Sequence, residues 1–399
     1  MTTKHQVVIV GGGSAGICVA ARLQLADPSL DVAIVEPSEV HYYQPLWTLV
    51  GGGQFDREVT ARPEADYIPP GHAWIREAAA GFEPEQRAVV LASGARVEYE
   101  QLVVCAGIQL DWSAIEGLRD AIGTRGLCSN YSYETVAYTW ECIASLAGGR
   151  ALFTAPSGAV KCGGAPQKIM WLAEENFRQR GIRDAVEVSY SIAGPRIFGV
   201  PKYRRTLERL VRERGIVTRF GHDLVAVDPG AKRATFRRAT VDGAGTELVE
   251  LDYDMMHVTP PQSSPRFVAD SPLADAKGWV EVDKHTTQHV RFPEVFSLGD
   301  CSSLPCSKTG AAVRKQAPVT VANLLAHRAG TPLEARYDGY SSCPIITGVG
   351  QVMLAEFDYD GTPCESFPFD QSVPRYSMYA LKAYALPELY WNGMLRGKV

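Results

Sequence analysis

The stretch VVIVGGGSAG, Val7 to Gly16, runs from an apolar strand through a glycine turn into ICVAARLQLA, whose apolar residues recur at helical spacing. A second apolar run, DVAIVEP (Asp31 to Pro37), completes a βαβ unit. Within the turn, Gly11 permits the tight bend, Gly13 lets the backbone approach a pyrophosphate, and Gly16 allows close helix packing. The helix N-terminus supplies free amides and a positive dipole end, which suit a phosphate. Glu36 stands 20 residues beyond Gly16, where an acid that binds a ribose hydroxyl belongs. A bare glycine pattern is a weak signal, but strand, helix and terminal acid in this order predict a dinucleotide site.

Outward from this unit, residues 74–109 alternate like a short β-meander, with turns at Glu83-Pro84 and Ser93-Gly94, and a strand there ends in Cys105-Ala106-Gly107. Between Gly148 and Asp223 the strands RALFTAP and AVEVSYSIAG and the helices PQKIMWLAEENFRQRG and YRRTLERLVRERG make a second α/β unit inserted into the first. Near Pro293 a strand runs into Gly299-Asp300, and a helix begins near Gly310. The fold class expected is α/β, with two Rossmann-like dinucleotide-binding domains, an inserted meander and a C-terminal membrane-associating segment. The divisions are 1–115 and 266–330 for the first domain, 116–265 for the second, and 331–399 for the C-terminal region. Where a second dinucleotide fingerprint is sought, Val188 to Tyr203 offers only VSYSIAGPRIFGVPKY, in which Pro195 removes a backbone donor and the glycine spacing is wrong.

At 399 residues and 46% hydrophobic content the chain can bury a large core divided among domains. A net charge of −5 without a basic stripe argues against nucleic acid as a partner. Only MTTKHQ precedes the first apolar run, so no export or transit segment is expected. No apolar run approaches the roughly 20 residues of a spanning helix. Nine cysteines without an export signal do not read as a disulfide framework, and no spacing among cysteines and histidines resembles a metal site.

Two cysteine segments stand out, VKCGGAPQK around Cys162 and SSCPIITG around Cys343. Lys161 and the helix beginning near Pro166 both favour thiolate on Cys162, and Cys343 falls in a segment that reads as a loop. The glycine turn with Glu36, VVCAG and VFSLGD resembles the two-dinucleotide-fold flavoprotein disulfide reductases. Together with EPSEVHYYQPLWTLVG, VKCGGAPQKIMWL, HVTPPQSSP, SLPCSKTGAAV, YDGYSSCPIITG and LYWNGMLRG, the chain from about Val7 to Gly397 resembles the sulfide:quinone oxidoreductases, in particular the mitochondrial-like branch.

That resemblance implies FAD, held at Gly11, Gly13, Ser14, Ala15, Gly16, Glu36, Gln44, Ala79, Gly107, Asp300 and Lys308. It implies Cys343 as the holder of sulfane sulfur and Cys162 as the cysteine facing the flavin. Hydrogen sulfide is then the electron donor, a membrane quinone the acceptor, and sulfite, glutathione or sulfide the small molecule that removes the sulfur. Hydrosulfide is a soft nucleophile, for which a disulfide is the natural electrophile. The tail Ser377 to Val399 interleaves Tyr384, Tyr390, Trp391, Met394 and Leu395 with Lys382, Arg396 and Lys398, a pattern that suits an interfacial helix. The expected location is a peripheral one, on the cytoplasmic face of a bacterial inner membrane, with a homo-oligomer left open.

Three rivals are weighed. A flavin-dependent NADH:quinone oxidoreductase needs the second fingerprint and has no use for the two cysteines. The flavin subunit of a cytochrome-linked sulfide dehydrogenase is normally exported. A flavin and thiol redox sensor without turnover predicts bleaching by sulfide that quinone does not reverse. Cys18, Cys105 and Cys142 read as packing residues, Cys301 and Cys306 as neighbours of the Gly-Asp turn, Cys364 as a surface thiol, and Cys128 as an open case. His257 reads equally as a core histidine or a proton donor.

Overall fold

The computed structural model describes residues 2–240 and 242–399. Strand β1 (Thr2–Val10) begins five residues before its apolar run, because Thr2 to His5 pair in parallel register with Arg96 to Tyr99. After the glycine turn come helix α1 (Ser14–Ala26) and strand β2 (Val32–Val35), the latter parallel to β1. The first sheet has seven strands, in the order Ala73–Ile75, β2, β1, Arg96–Val104, Ala88–Leu91, Ala79–Glu83, with Val295–Ser297 also paired to Arg96–Val104. The last three strands of that order form the antiparallel meander.

Alternation along β1 explains why its run is apolar at every position: successive side chains point to opposite faces, and both faces are covered. Val7 and Ile9 join a core with α1, the second unit and the tail, whereas Val8 and Val10 join one with Tyr99, Val280 and Tyr337. Helix Gly310–Arg328 is capped by the Thr309 hydroxyl, which accepts the Ala312 N–H at 3.1 Å, and packs beside α1.

The second sheet is five parallel strands, in the order Leu127–Cys128, Met255–His257, Gly149–Ala155, Val186–Ile192, Val217–Phe220. This order corrects the expectation for the second fingerprint. Gly149–Ala155 is the central strand from which Val186–Ile192 and Val217–Phe220 follow outward, so residues 156–164 correspond to the glycine turn of the first unit. In the place where a second dinucleotide would be cradled, the chain carries Cys162, followed by helix Ala165–Gln179.

Cys343 lies on a strand, not in a loop. Strand Ser341–Gly348 pairs antiparallel with Gln351–Phe357, so that Cys343 faces Ala355. The β-branched run Ile345-Ile346-Thr347 decides this, and Pro344 is tolerated because the hairpin is only two strands wide.

The expected interfacial tail is docked instead. From Tyr376 to Arg396 the chain makes successive helical turns, two of them wide π turns at Leu381–Ala385 and Leu389–Gly393. Tyr390, Trp391, Met394 and Leu395 are buried in the core, and so is Lys382, at 3% exposure. Tyr376 and Tyr384, 65% and 56% exposed, are the large apolar side chains of this segment left at the surface. Among the described residues no helix is long and apolar enough to cross a membrane.

Candidate active site

The two cysteines singled out in the sequence meet. Cys162 Sγ and Cys343 Sγ stand 2.8 Å apart, although 181 residues separate them. Cys162 has φ of 61°, a left-handed conformation that costs a non-glycine residue of order 1–3 kcal/mol. Two hydrogen bonds enforce it: the Cys162 N–H donates to the Lys308 carbonyl at 2.8 Å, and the Ala165 N–H donates to the Cys162 carbonyl at 2.7 Å. Room for the partner sulfur comes from Gly164, where a Cβ would lie 2.7 Å from Cys343 Sγ.

Charge is arranged around the pair by lysines. Lys168 Nζ, from the first turn of the helix that follows the Cys162 loop, lies 3.3 Å from Cys162 Sγ. The Cys162 thiol is held well below its ordinary range by the hydrogen bond from Cys343, then by Lys168, against the cost of burial. Cys343 is pushed up by that same hydrogen bond and by burial. Burial opposes the charge on Lys168, but the two sulfurs outweigh it and raise its pKa. Lys382, whose Nζ donates to the Pro45 carbonyl at 2.9 Å, is pushed down to about 7 by burial and then by the charge of Lys168. Lys161 does not serve the thiol as expected. Its Nζ donates to Gln44 Oε1 at 2.7 Å and to the Tyr131 carbonyl at 3.3 Å, and burial lowers it to about 8. The sequence alone does not single out Lys168, and it puts Lys382 on the basic rim of an interfacial helix; the available signal is a lysine set inside each of two otherwise apolar helical faces.

The glycine turn has the shape of a dinucleotide cradle. Gly11 takes φ of 103°, and a Cβ there would stand 2.4 Å from the Cys105 carbonyl oxygen; one at Gly16 would meet the Gly11 carbonyl at 1.8 Å. Gly13 and Gly107 face open space, with no atom within 4 Å of a built Cβ. Glu36 Oε2 accepts the Gly12 N–H at 2.7 Å, and burial raises its carboxyl above the usual range. Ala15 is buried beside Gly299, and Ser14 Oγ lies 2.6 Å from the Tyr390 hydroxyl. Lys308 Nζ donates to the carbonyls of Asp300 at 2.5 Å and Ser302 at 3.1 Å and lies 4.0 Å from the Trp279 ring centroid. Burial raises the Asp300 carboxyl, with Lys308 and Lys161 opposing. Gln44, Lys161, Asp300 and Lys308 therefore link the glycine turn's side of the molecule to the cysteine loop. Ala79 opens an edge strand of the first sheet and packs on the core that holds Val10 and Val35. The open turn, the acid at the end of β2 and the cations beside the sulfur pair fit a flavin dinucleotide.

A family model described as pyridine nucleotide-disulphide oxidoreductase matches residues 5–136. The mitochondrial sulfide:quinone oxidoreductase of Dictyostelium discoideum is 47% identical over 98% of this chain and 86% of its own length. That of Mus musculus is 44% identical over 98% and 87%. The chain belongs to the sulfide:quinone oxidoreductases. The solved structure of the sulfide:quinone oxidoreductase from Aquifex aeolicus shares the fold, with a TM-score of 0.80 at 20% identity, over 98% of this chain and 92% of that one. FAD is the cofactor of this family and of this protein.

In this sulfide:quinone oxidoreductase the other candidate residues fall to packing. Cys128 is buried, its Sγ 3.5 Å from the Met256 carbonyl, and burial raises its pKa. Cys301 is buried against the Val104 carbonyl at 3.5 Å, and Cys306 Sγ lies 3.3 Å from Gln316 Nε2. His257 is a core histidine: its Nε2 accepts the Asn130 N–H at 3.0 Å, and burial pushes it down to about 3. A histidine held neutral by burial carries no acidic imidazolium proton near neutral pH.

Proposed function

We propose that Cys162 and Cys343 are the redox pair through which this sulfide:quinone oxidoreductase takes electrons from hydrosulfide. The observation that carries the reading is the 2.8 Å approach of the two sulfurs with Lys168 at 3.3 Å from one of them. In the oxidised enzyme the two are joined by a disulfide. Hydrosulfide attacks the Cys343 sulfur; a new S–S bond forms, the bond to Cys162 breaks, and Cys162 leaves as a thiolate. Loss of the hydrosulfide proton leaves a persulfide anion on Cys343. Two negative charges then stand where none stood before, and Lys168 and Lys382 are the two cations beside them. The lowered pKa of Cys162 supports this division of roles, since the sulfur more easily held as thiolate is the better leaving group.

A small acceptor, of the sulfite, glutathione or sulfide type, removes the outer sulfur and leaves Cys343 as a thiolate. Rejoining Cys162 and Cys343 releases two electrons. FAD, when bound, would supply the two-electron acceptor that relays this pair to a quinone. Gly11, Gly13, Ser14, Ala15, Gly16 and Glu36 would hold its pyrophosphate and ribose end, and Gln44, Ala79, Gly107, Asp300 and Lys308 the remainder. As a cation, Lys308 would favour negative charge on the flavin that these residues hold. The quinone is taken from a membrane surface, with Tyr376 and Tyr384 as the exposed aromatic contacts, and the protein works peripherally at the cytoplasmic face of an inner membrane.

The test is anaerobic mixing of the flavin-loaded protein with sulfide, and separately with NADH, followed by a short-chain quinone. Sulfide is expected to bleach the flavin and quinone to restore it. Bleaching by NADH with indifference to sulfide would overturn the reading. Cys162→Ser and Cys343→Ser are each expected to abolish sulfide-driven bleaching while keeping FAD; near-normal bleaching in either removes that residue from the mechanism.

A further inference from the structure

A chain of four side chains, three of them buried, joins the glycine turn to the C-terminal tail. Ser14 Oγ lies 2.6 Å from the Tyr390 hydroxyl, which lies 2.5 Å from His41 Nε2. His41 Nδ1 lies 2.9 Å from Glu64 Oε2. A carboxylate only accepts, so Nδ1 is the donor there, and this fixes the ring. The His41 and Glu64 side chains are each 2% exposed, and Glu64 Oε1 is a buried oxygen without a partner. A Cβ at Gly12 would stand 3.0 Å from that same oxygen and 2.6 Å from Glu36 Cγ. The chain thus begins and ends at the glycine turn, with the tail's Tyr390 in the middle of it.

The tail is held on α1 by more than this hydroxyl. The Tyr390 ring sits 4.7 Å from that of Tyr43, Trp391 lies 5.0 Å from Tyr67, and the Arg62 guanidinium is 4.4 Å from the Trp391 ring. A Cβ at Gly397 would meet the backbone of Ala21 and Arg22 at 2.9–3.0 Å. The tail therefore touches α1 at its first residue, Ser14, and again at Ala21 and Arg22.

We infer that Tyr390, oriented by His41 and Glu64, is a positioning residue for the FAD phosphate site, so that FAD binding and docking of the tail are one coupled equilibrium. Ser14 is the first residue of α1, and a serine hydroxyl rotates freely unless a partner fixes it. Tyr390 supplies that partner. Linkage is reciprocal: FAD tightens the tail by the factor by which the docked tail tightens FAD. The inference rests on FAD seating at the Gly11–Gly16 turn.

Tyr390→Phe keeps the ring and its stacking and removes only the hydroxyl. FAD titrated into apoprotein is expected to bind about five- to tenfold more weakly, the worth of one hydrogen bond. The thermal stabilisation that FAD confers should shrink, rather than apo- and holoprotein falling equally. Ser14→Ala should weaken FAD similarly, and the double variant should be no worse than either single one. In the wild type, hydrogen exchange of residues 389–396 should slow on FAD addition. Unchanged FAD affinity in Tyr390→Phe, additive effects in the double variant, or tail exchange indifferent to FAD would each overturn the coupling. Failure of wild-type apoprotein to bind FAD would overturn its premise instead.

Discussion

Cys162 and the residues touching it hold most of the chemistry within one glycine, two lysines and a second cysteine. Gly164 is there because the Cys343 sulfur occupies the space its Cβ would need. Gly164→Ala is expected to part the sulfurs and slow sulfide-driven flavin reduction by about tenfold or more, since a misplacement of order 1 Å costs up to about a hundredfold. Stopped-flow bleaching measures it, and a wild-type rate would mean that the pair tolerates separation. Lys382 makes a prediction about pH. Its pKa is about 7 in the folded protein against 10.5 ordinarily, so between those values the unfolded chain binds a proton that the folded one does not. Stability therefore rises with pH across that window, and the penalty of the buried charge is fully present below about pH 7. Lys382→Met, which does not titrate, should gain most over wild type at pH 6 and little near pH 10. Melting temperatures of both proteins across that range check it; a gain independent of pH would show that Lys382 is not what titrates.

At the scale of elements, the site is a helix and a hairpin pinned together. Glu175, on the helix that follows Cys162, accepts the Val349 N–H at 2.5 Å at the tip of the hairpin that carries Cys343. Glu175→Ala should loosen the hairpin, costing about 1 kcal/mol of stability, and slow sulfide oxidation with no loss of flavin. If rate and stability are both unchanged, the pin is incidental.

The elements also show what could be read from the chain alone. The Gly11–Gly16 turn, α1 and Glu36 were legible because a dinucleotide turn is local: strand, glycines and helix follow one another within a few residues. The Cys343 segment was read as a loop because Gly, Ser and Tyr around it outweighed Ile345-Ile346, whose partner strand lies beyond a turn. The second fingerprint is expected at Val188 to Tyr203, one strand away from where the fold puts that turn, since which strand is central depends on sheet order, and sheet order is not written locally. The place of Lys168 and Lys382 beside sulfur is not legible in the chain because their meaning is tertiary. Each looks like an ordinary helical lysine until the fold turns it toward sulfur. The tail's apolar residues are legible, but amphipathic spacing serves a protein core as well as a membrane surface, and Tyr43 and Tyr67 take up the rings of Tyr390 and Trp391.

Across the whole molecule, one core cluster joins β1 and α1, the central strands of the second sheet, the hairpin and the tail, from Val7 through Phe153, Cys343 and Ile345 to Leu395. Such shared packing ties the two sheets to each other and to the C-terminal region. Calorimetric unfolding of the flavin-loaded protein should accordingly show the hairpin, tail and both units melting in one transition, with calorimetric and van't Hoff enthalpies in agreement. A separate low-temperature transition of the C-terminal region would contradict it.

The distance in sequence between the two sulfurs also sets an order of events during synthesis. At about 5–20 residues per second, the ribosome needs roughly 10–40 s to add Cys343 after Cys162. For that interval the nascent chain carries the future leaving sulfur without its partner, in a loop whose left-handed bend is held by Lys308 and so is not yet fixed either. The sulfur pair is thus complete only once the hairpin has emerged, and Cys162 waits for its partner through that whole interval.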